Sequence, residues 1–463
     1  MTQPPPPAYD PPAPTAYDPV AVALGNASLP GVGYLLLGRR AWFWTAAVIT
    51  VALAWTTIAV AETWCEVLLL LWWAAVVTHG RLLARRRAAG PRWGQRLLAL
   101  ALAAAVFPAA VLLRLDAHGI AEDVTEAREG GDCEAVTAAQ EKVWWGHRLA
   151  AAPVATRGDT AVEACARVGR AEEELTAGLT GDLDAVEWGY QRLASVLKEP
   201  GNEATVRAAM DRFLEALPTE DACETVAITD WLRERKAGRN VLDRSAATAT
   251  RLAPAALLKC GDTLRGESAW PQARTHYEQL LKEYPGDNRA GQARKGIRQV
   301  VLAEELSQVE GLVRATNGMS SGYCADPARY SGAPARRKGG NPTLFLGDDT
   351  YTGRLPAGWR TTDARKAALV VCAGEADFGS AVQTCPYRAD DTGSITNVTF
   401  RKIKVPVRVF ELRTGKLLSK RTVQIGGSSC PGAFFTYGGV PSNKYVTPSG
   451  SDIRDAFSSV VRR

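Results

Sequence analysis

Residues 41–61, "AWFWTAAVITVALAWTTIAVA", form an uncharged, mostly apolar run of 21 residues. A helix of that length matches the roughly 30 Å hydrocarbon thickness of a bilayer, so this run predicts a transmembrane helix. Two shorter runs follow. "VLLLLWWAAVVTH" (67–79) has 13 residues and reaches a full span only from residue 63, so it reads as the return leg of a hairpin. "LLALALAAAVFPAAVLL" (97–113) has 17 residues with Pro108 inside and reads as a third span. Between them lies "RLLARRRAAGPRWGQR" (81–96), with six arginines and no acid. Short arginine-rich loops stay on the cytoplasmic side. Arg39 and Arg40 before the first span agree with that side, and Glu62 and Glu66 fall at the outer turn. The chain beyond Arg114 is therefore expected outside, with a cytoplasmic N-terminus. Trp42, Trp44, Trp64 and Trp93 fall near the span ends, where indole prefers the interface, whereas Trp55, Trp72 and Trp73 do not.

Ahead of the spans, "VAVALGNASLPGVGYLLLG" (20–38) is apolar but interrupted by Gly25, Asn26, Pro30, Gly31 and Gly33. It reads as a re-entrant or interfacial piece; as a full span it would make four and put the N-terminus outside. Its end, "LPGVGYLLLGRR", resembles the segment that opens small two-span bacterial membrane domains. Residues 1–19, with "PPPPAYDP" and "APTAYDP", read as a disordered proline-rich tail, either solvated or a docking peptide. They lack the basic-then-apolar start of a signal peptide.

The overall net charge of +6 hides a strong asymmetry. Residues 1–114 carry 9 basic and 4 acidic side chains, residues 115–317 carry 25 and 34, and residues 318–463 carry 21 and 11. An acidic middle thus separates the membrane region from a basic end. The acidic part, 118–316, reads as helical throughout. Within it, "YEQLLKEYPGDN" (277–288) resembles the end of a tetratricopeptide repeat. With Pro285 as the closing proline, the pattern starts at Pro254, places Gly261 and Ala273 at its small positions and Tyr277 at its aromatic one. The resemblance covers about 34 residues and implies an antiparallel helix pair. In that family such pairs stack into a concave surface for a protein partner; a folded spacer is the plainer alternative. "YQRLASVLKEPGN" (190–202) echoes this stretch, and "GDCEAV" (131–136) parallels "DACETV" (221–226), suggesting a duplicated helical unit. Only one copy satisfies the pattern, whereas a stable stack needs about three.

Eight of the nine cysteines follow the third span. In an oxidising compartment an even number favours bridges. Cys133 and Cys223 each sit in a first helical turn begun by aspartate, and Cys165 and Cys260 lie 32 and 37 residues later in the next helical stretch. Helices running out and back bring such positions together, which predicts Cys133–Cys165 and Cys223–Cys260. Zinc is disfavoured, because no cysteine pair has two-residue spacing and the chain has only four histidines.

After a loose linker (317–342), residues 343–463 change to alternating periodicity and predict a small α+β domain around an antiparallel sheet. "TNVTFRKIKVPVRVFELRTGKLLSKRTVQIG" (396–426) reads as a hairpin turning at Arg413 to Lys416, with Pro406 marking an edge strand. "SDIRDAFSSVVRR" (451–463) reads as a closing helix that buries Ile453, Phe457 and Val460 or Val461. Leu355, Pro356, Trp359, Cys372, Cys385, Tyr387, Thr414, Gly415, Cys430 and Pro431 together resemble a module found at the ends of bacterial envelope and repeat proteins. That resemblance carries the pairings Cys385–Cys430 and Cys324–Cys372, and no activity. Strand alternation puts Lys402, Lys404 and Arg408 on one face, with Phe410 at its end, as either a solvated face or a candidate anion-binding patch.

No catalytic motif is present: there is no Gly-x-Ser-x-Gly elbow, Walker loop or His-Glu-x-x-His helix. "RTGK" is a hairpin turn, His147 in "VWWGHRL" reads as a partly buried aromatic neighbour, and Glu172 to Glu174 read as a helix surface. The whole resembles bacterial membrane-anchored proteins that contain tetratricopeptide repeats. It predicts a multidomain chain of transmembrane helices, an all-α tetratricopeptide-like domain and a small α+β domain. The expected role is a non-enzymatic scaffold or binding protein of the cell envelope, without cofactor. Its expected partner is a protein on the helices, or alternatively anionic wall polymer or lipid headgroups on the basic domain. Nucleic acid is disfavoured by the expected location and by the lack of interleaved aromatics.

Overall fold

Apolar residues cover whole helices in the first quarter of the chain and single faces thereafter, and this change of pattern orders the fold. A computed structural model describes residues 17–86, 93–317, 320–390 and 392–462. The chain divides into two compact units, Met1–Ala253 and Pro254–Arg463.

The first unit is helical. Asp18 caps α1 (Pro19–Ser28), and a left-handed Gly31 turns the chain into α2 (Val32–Leu36). The 20–38 segment is thus a helix–turn–helix. Its ten-residue first helix is about 15 Å long and too short to span. Most of the proline-rich stretch lies outside the described residues, but its end, Asp18 and Pro19, belongs to the fold. Then come α3 (Arg40–Val60), α4 (Thr63–Arg85) and α5 (Trp93–Gly130), three helices long and apolar enough to cross a membrane. No more than 17% of any of these apolar stretches is buried within the protein. Trp55, Leu71 and Leu112 are exposed. Part of the arginine loop, residues 87–92, lies outside the described residues.

The expected break near residue 118 is absent. α5 runs unbroken to Gly130, because nothing between Pro108 and the Gly130–Gly131 pair stops a helix. Asp132 then caps α6 (Cys133–Gln140), followed by α7 (Trp145–Ala150), α8 (Ala152–Gly178), α9 (Leu183–Val196), α10 (Glu203–Glu215), α11 (Ala222–Glu234) and α12 (Arg244–Gly266). Asp182 caps α9 in the same way as Asp132, through the third helical N–H, and Asp221 caps α11 through the second, that of Cys223. Val168, Leu175, Tyr190, Leu193, Met210, Phe213 and Leu232 form the main core.

The second unit starts within α12 and continues with α13 (Trp270–Glu283) and α14 (Ala290–Arg314). A short hairpin, β1 (Thr316–Asn317) with β2 (Ser320–Ser321), and α15 (Gly322–Ala325) follow. The stretch expected to be a loose linker is therefore packed in its first half: Tyr323 is fully buried beside Val309, Leu344, Val370 and Phe410. Next come β3 (Thr343–Gly347), α16 (Asp349–Thr352), β4 (Leu369–Ala373), β5 (Asp377–Arg388), β6 (Ile395–Glu411), β7 (Lys416–Ile425), β8 (Asn443–Tyr445) and α17 (Gly450–Val461).

The sheet is mixed and not purely antiparallel. β3 pairs parallel with β4 and β8 pairs parallel with β6. The long 348–368 connection supplies the crossover that a parallel pair needs. The long strand β6 is central. β5 and then β4 pair along one edge, and β8 and β7 along the other. Pro406 is therefore no edge residue. Its carbonyl accepts from Gly374 N–H where β5 gives way to β4, so its ring nitrogen faces that gap and no ladder bond is lost. Ile453, Phe457, Val460 and Val461 of α17 are all buried against one sheet face.

Eight cysteines are disulfide-bonded. The pairs include Cys133–Cys165, Cys324–Cys372 and Cys385–Cys430, and Cys223 and Cys260 are also in disulfide linkage. Cys65, in the apolar hairpin, is free.

Candidate functional site

Over residues 402–409 β6 alternates, with Ile403, Val405, Val407 and Val409 buried in the core and Lys402, Lys404, Pro406 and Arg408 on the opposite face. On that opposite face Arg408 lies across from Lys420 of β7, and Pro406 across from Thr422. Together with Gly374 and the Cys324–Cys372 bridge these residues line a cleft of about 590 Å³. Arg408 donates to the Cys324 carbonyl at 2.6 Å and its guanidinium lies 5.9 Å from the Phe410 ring centroid. Lys420 is exposed. Like charges directly opposite on a sheet repel. No carboxylate is found among the described residues lining the cleft.

The three lysines and arginines singled out from the sequence do not act as one patch. Lys404 is paired with Asp377 at 2.7 Å, and that bond, with a backbone donation from Phe378, holds the Asp377 carboxyl below its ordinary range. Arg408 is half-buried and held by the Cys324 carbonyl, while Lys402 is half-buried on the same face. Phe410 stands at the end of this face, buried with Tyr323, Cys324 and Cys372. Lys420 was missed because its place depends on strand register.

No protein-family model, curated protein or solved structure matches the chain. Function has to be read from its own geometry.

The four repeat-pattern residues behave as a packing unit in the second body. Tyr277 is fully buried, its hydroxyl donating to Asp262 at 2.7 Å and accepting from Arg265 at 3.3 Å. Its ring fills the space left by Gly261 on α12 and Gly296 on α14. Burial, and then the Asp262 carboxylate, push the phenol up to about 12. Ala273 is fully buried, and Pro285 follows the end of α13. Pro254, the first position of the pattern, lies inside α12, which begins at Arg244.

In the first body, α8 and α10 leave a shallow groove lined by Leu175, Leu179, Ala209, Phe213 and Ala216 and bordered by the Arg212–Glu172 ion pair. His147 is buried, as an aromatic neighbour of Trp144 at 5.6 Å, with its Nε2 3.0 Å from Asp116. Glu172 and Glu174 pair with Arg212 and Arg192. Among the described residues no group of three or more His, Cys, Asp or Glu side chains is placed to hold a metal ion.

Proposed function

We propose that this chain is a membrane-anchored, non-enzymatic binding protein of the bacterial cell envelope, whose C-terminal domain takes an anionic polymer in the Arg408–Lys420 cleft. Three apolar helices support membrane association, and disulfides lying beyond them support an oxidising, extracytoplasmic region. The cytoplasmic arginine loop and the exported remainder follow from the positive-inside rule. The observation that carries the ligand is the opposition of Arg408 and Lys420 in a cleft lined by no described carboxylate. A phosphodiester or polycarboxylate chain would relieve that repulsion, and the basic excess of the domain would steer it there.

The test is binding of the full-length protein, in detergent micelles, to purified phosphodiester wall polymer across a salt series. Lys420→Glu should weaken binding about tenfold or more, and added salt should weaken it further. Lys404→Ala should change little, because Asp377 already neutralises that charge. Equal binding by wild type and Lys420→Glu, or binding indifferent to salt, would refute the reading. A fragment starting at residue 343 is unsuited to this test, since it lacks Cys324, the partner of Cys372.

The groove between α8 and α10 favours a second reading, a protein partner seated on the helical region. Ala216→Arg would block that groove from an exposed position. Loss of a defined co-purifying envelope protein from this variant, with polymer binding retained, would select it.

A further inference from the structure

We propose that α7 is an interfacial anchor, lying in the outer headgroup region of the membrane with Trp144, Trp145 and Leu149 inserted. This rests on the membrane-anchored reading and goes beyond it, because α7 is not one of the three apolar helices. Trp145 is 66% exposed and Trp144 45%, their rings perpendicular with centroids 4.9 Å apart. Leu149 is exposed on the same short helix. Such a cluster on a helix this short has no core to serve from its own element.

Its position identifies what covers it. His147 of α7 is buried and its Nε2 sits 3.0 Å from the Asp116 carboxylate, while Trp144 N–H donates to its Nδ1 at 3.4 Å. Asp116 is on α5, just past the end of the apolar run at Leu113. At the same level Arg114 pairs with Glu66 of α4 at 3.2 Å, and Trp64, in the first turn of α4, is exposed. α7 also packs against both α3 and α5. The Glu66–Arg114 and Asp116–His147 pairs therefore mark one level at the outer end of the apolar helices, and α7 lies on it. Exposed Leu112 and Leu115 of α5 lead up to this level. The charge that α7 carries at Arg148 is spent on Asp159, at 2.5 Å. Indole at the boundary of headgroup and acyl chain, with an aliphatic neighbour, is the chemistry of an interfacial helix.

Hydroxyl-radical footprinting of the full-length protein in liposomes tests this, with four tryptophans read by mass spectrometry. Trp188 of α9 is the solvent reference, being 57% exposed. Its neighbour Gly189 packs on Leu175 and Ala171, which places it about 30 Å along α8 from the membrane end. Trp55 of α3, 72% exposed in the protein itself, is the mid-span reference. Trp144 and Trp145 should be oxidised about fivefold less than Trp188, and Trp55 protected as well. Oxidation of Trp144 and Trp145 at the Trp188 level with Trp55 protected would overturn the anchor and leave the spans standing. Oxidation of Trp55 at that level would overturn both.

Discussion

The Tyr277 ring of α13 lies against Gly296 of α14, where a Cβ on the glycine would come within 2.5 Å of Cζ. The ring cannot retreat, because Gly261 of α12 closes on its other side and its hydroxyl is held by Asp262. Gly→Ala inside a helix ordinarily stabilises by up to about 1 kcal/mol. Here Gly296→Ala should destabilise by about 1–3 kcal/mol through overpacking. Tyr277→Phe, which keeps the ring and loses the hydrogen bond, should cost about 1 kcal/mol. Thermal melting of the two variants checks both, and a Gly296→Ala protein as stable as wild type would contradict this packing.

Glu305 of α14 is nearly buried, and it accepts from Ser331 N–H at 2.7 Å, Ser331 Oγ at 2.5 Å and Arg329 Nε at 2.8 Å. Burial alone would raise its carboxyl, but these donors outweigh it and hold the group below its ordinary value. A depressed carboxyl stabilises the fold above the unfolded value of about 4.3 and loses that contribution as pH falls through the lower folded value. Glu305→Gln should cost about 1–3 kcal/mol at neutral pH. It should also flatten the stability curve below about pH 4 relative to wild type. Denaturant titrations at several pH values would show whether the two curves converge in acid.

Asn26 is fully buried, accepting from Gly33 N–H at 2.8 Å and donating to the Val76 carbonyl at 3.2 Å. It ties α1 and α2 to α4, and Gly80 leaves room for its amide, since a Cβ there would stand 2.2 Å from Nδ2. Asn26→Ala strands a buried donor and an acceptor at a cost of about 1–3 kcal/mol. Gly80→Ala should be comparably harmful. Protease susceptibility of the 17–38 segment in micelles should rise in both variants and stay low in wild type.

Non-reducing peptide mapping of protein from its own membranes should return Cys133–Cys165, Cys324–Cys372 and Cys385–Cys430, with Cys223 bridged to Cys260 and Cys65 free. Replacing Cys133 and Cys165 together by serine should cost about 3–4 kcal/mol by loop entropy. Eight free thiols in native protein would place the chain in a reducing compartment and remove wall polymer as its ligand.

Hydrophobic pattern and capping chemistry were legible residue by residue. The apolar runs located α3, α4 and the first half of α5, and the aspartate-led turns at Cys133 and Cys223 located the starts of α6 and α11. The burying face of α17 was equally plain. The packing of residues 321–333 was not, because their surroundings read as a linker and only Tyr323, Cys324, Ala328 and Ala333, meeting distant partners, make them part of the core. The helical continuity of α5 past Arg114 was likewise obscured, since composition changes there while the backbone does not.

The cleft shows the division most sharply. The sequence by itself determined that β6 has a basic face and an apolar one, because side chains alternate along any strand. Which residue of β7 stands opposite Arg408 was decided only in the sheet. The turn sets Glu411 against Lys416 and Phe410 against Leu417, and unbroken register would then have brought Ser419 to Arg408. A bulge between Val409 and Phe410 inserts one extra residue on β7, so that Val409 meets Ser419 and Arg408 meets Lys420. With a side-chain period of two, that single residue moves Lys420 onto the face of Arg408 and turns Val423 and Ile425 into the core.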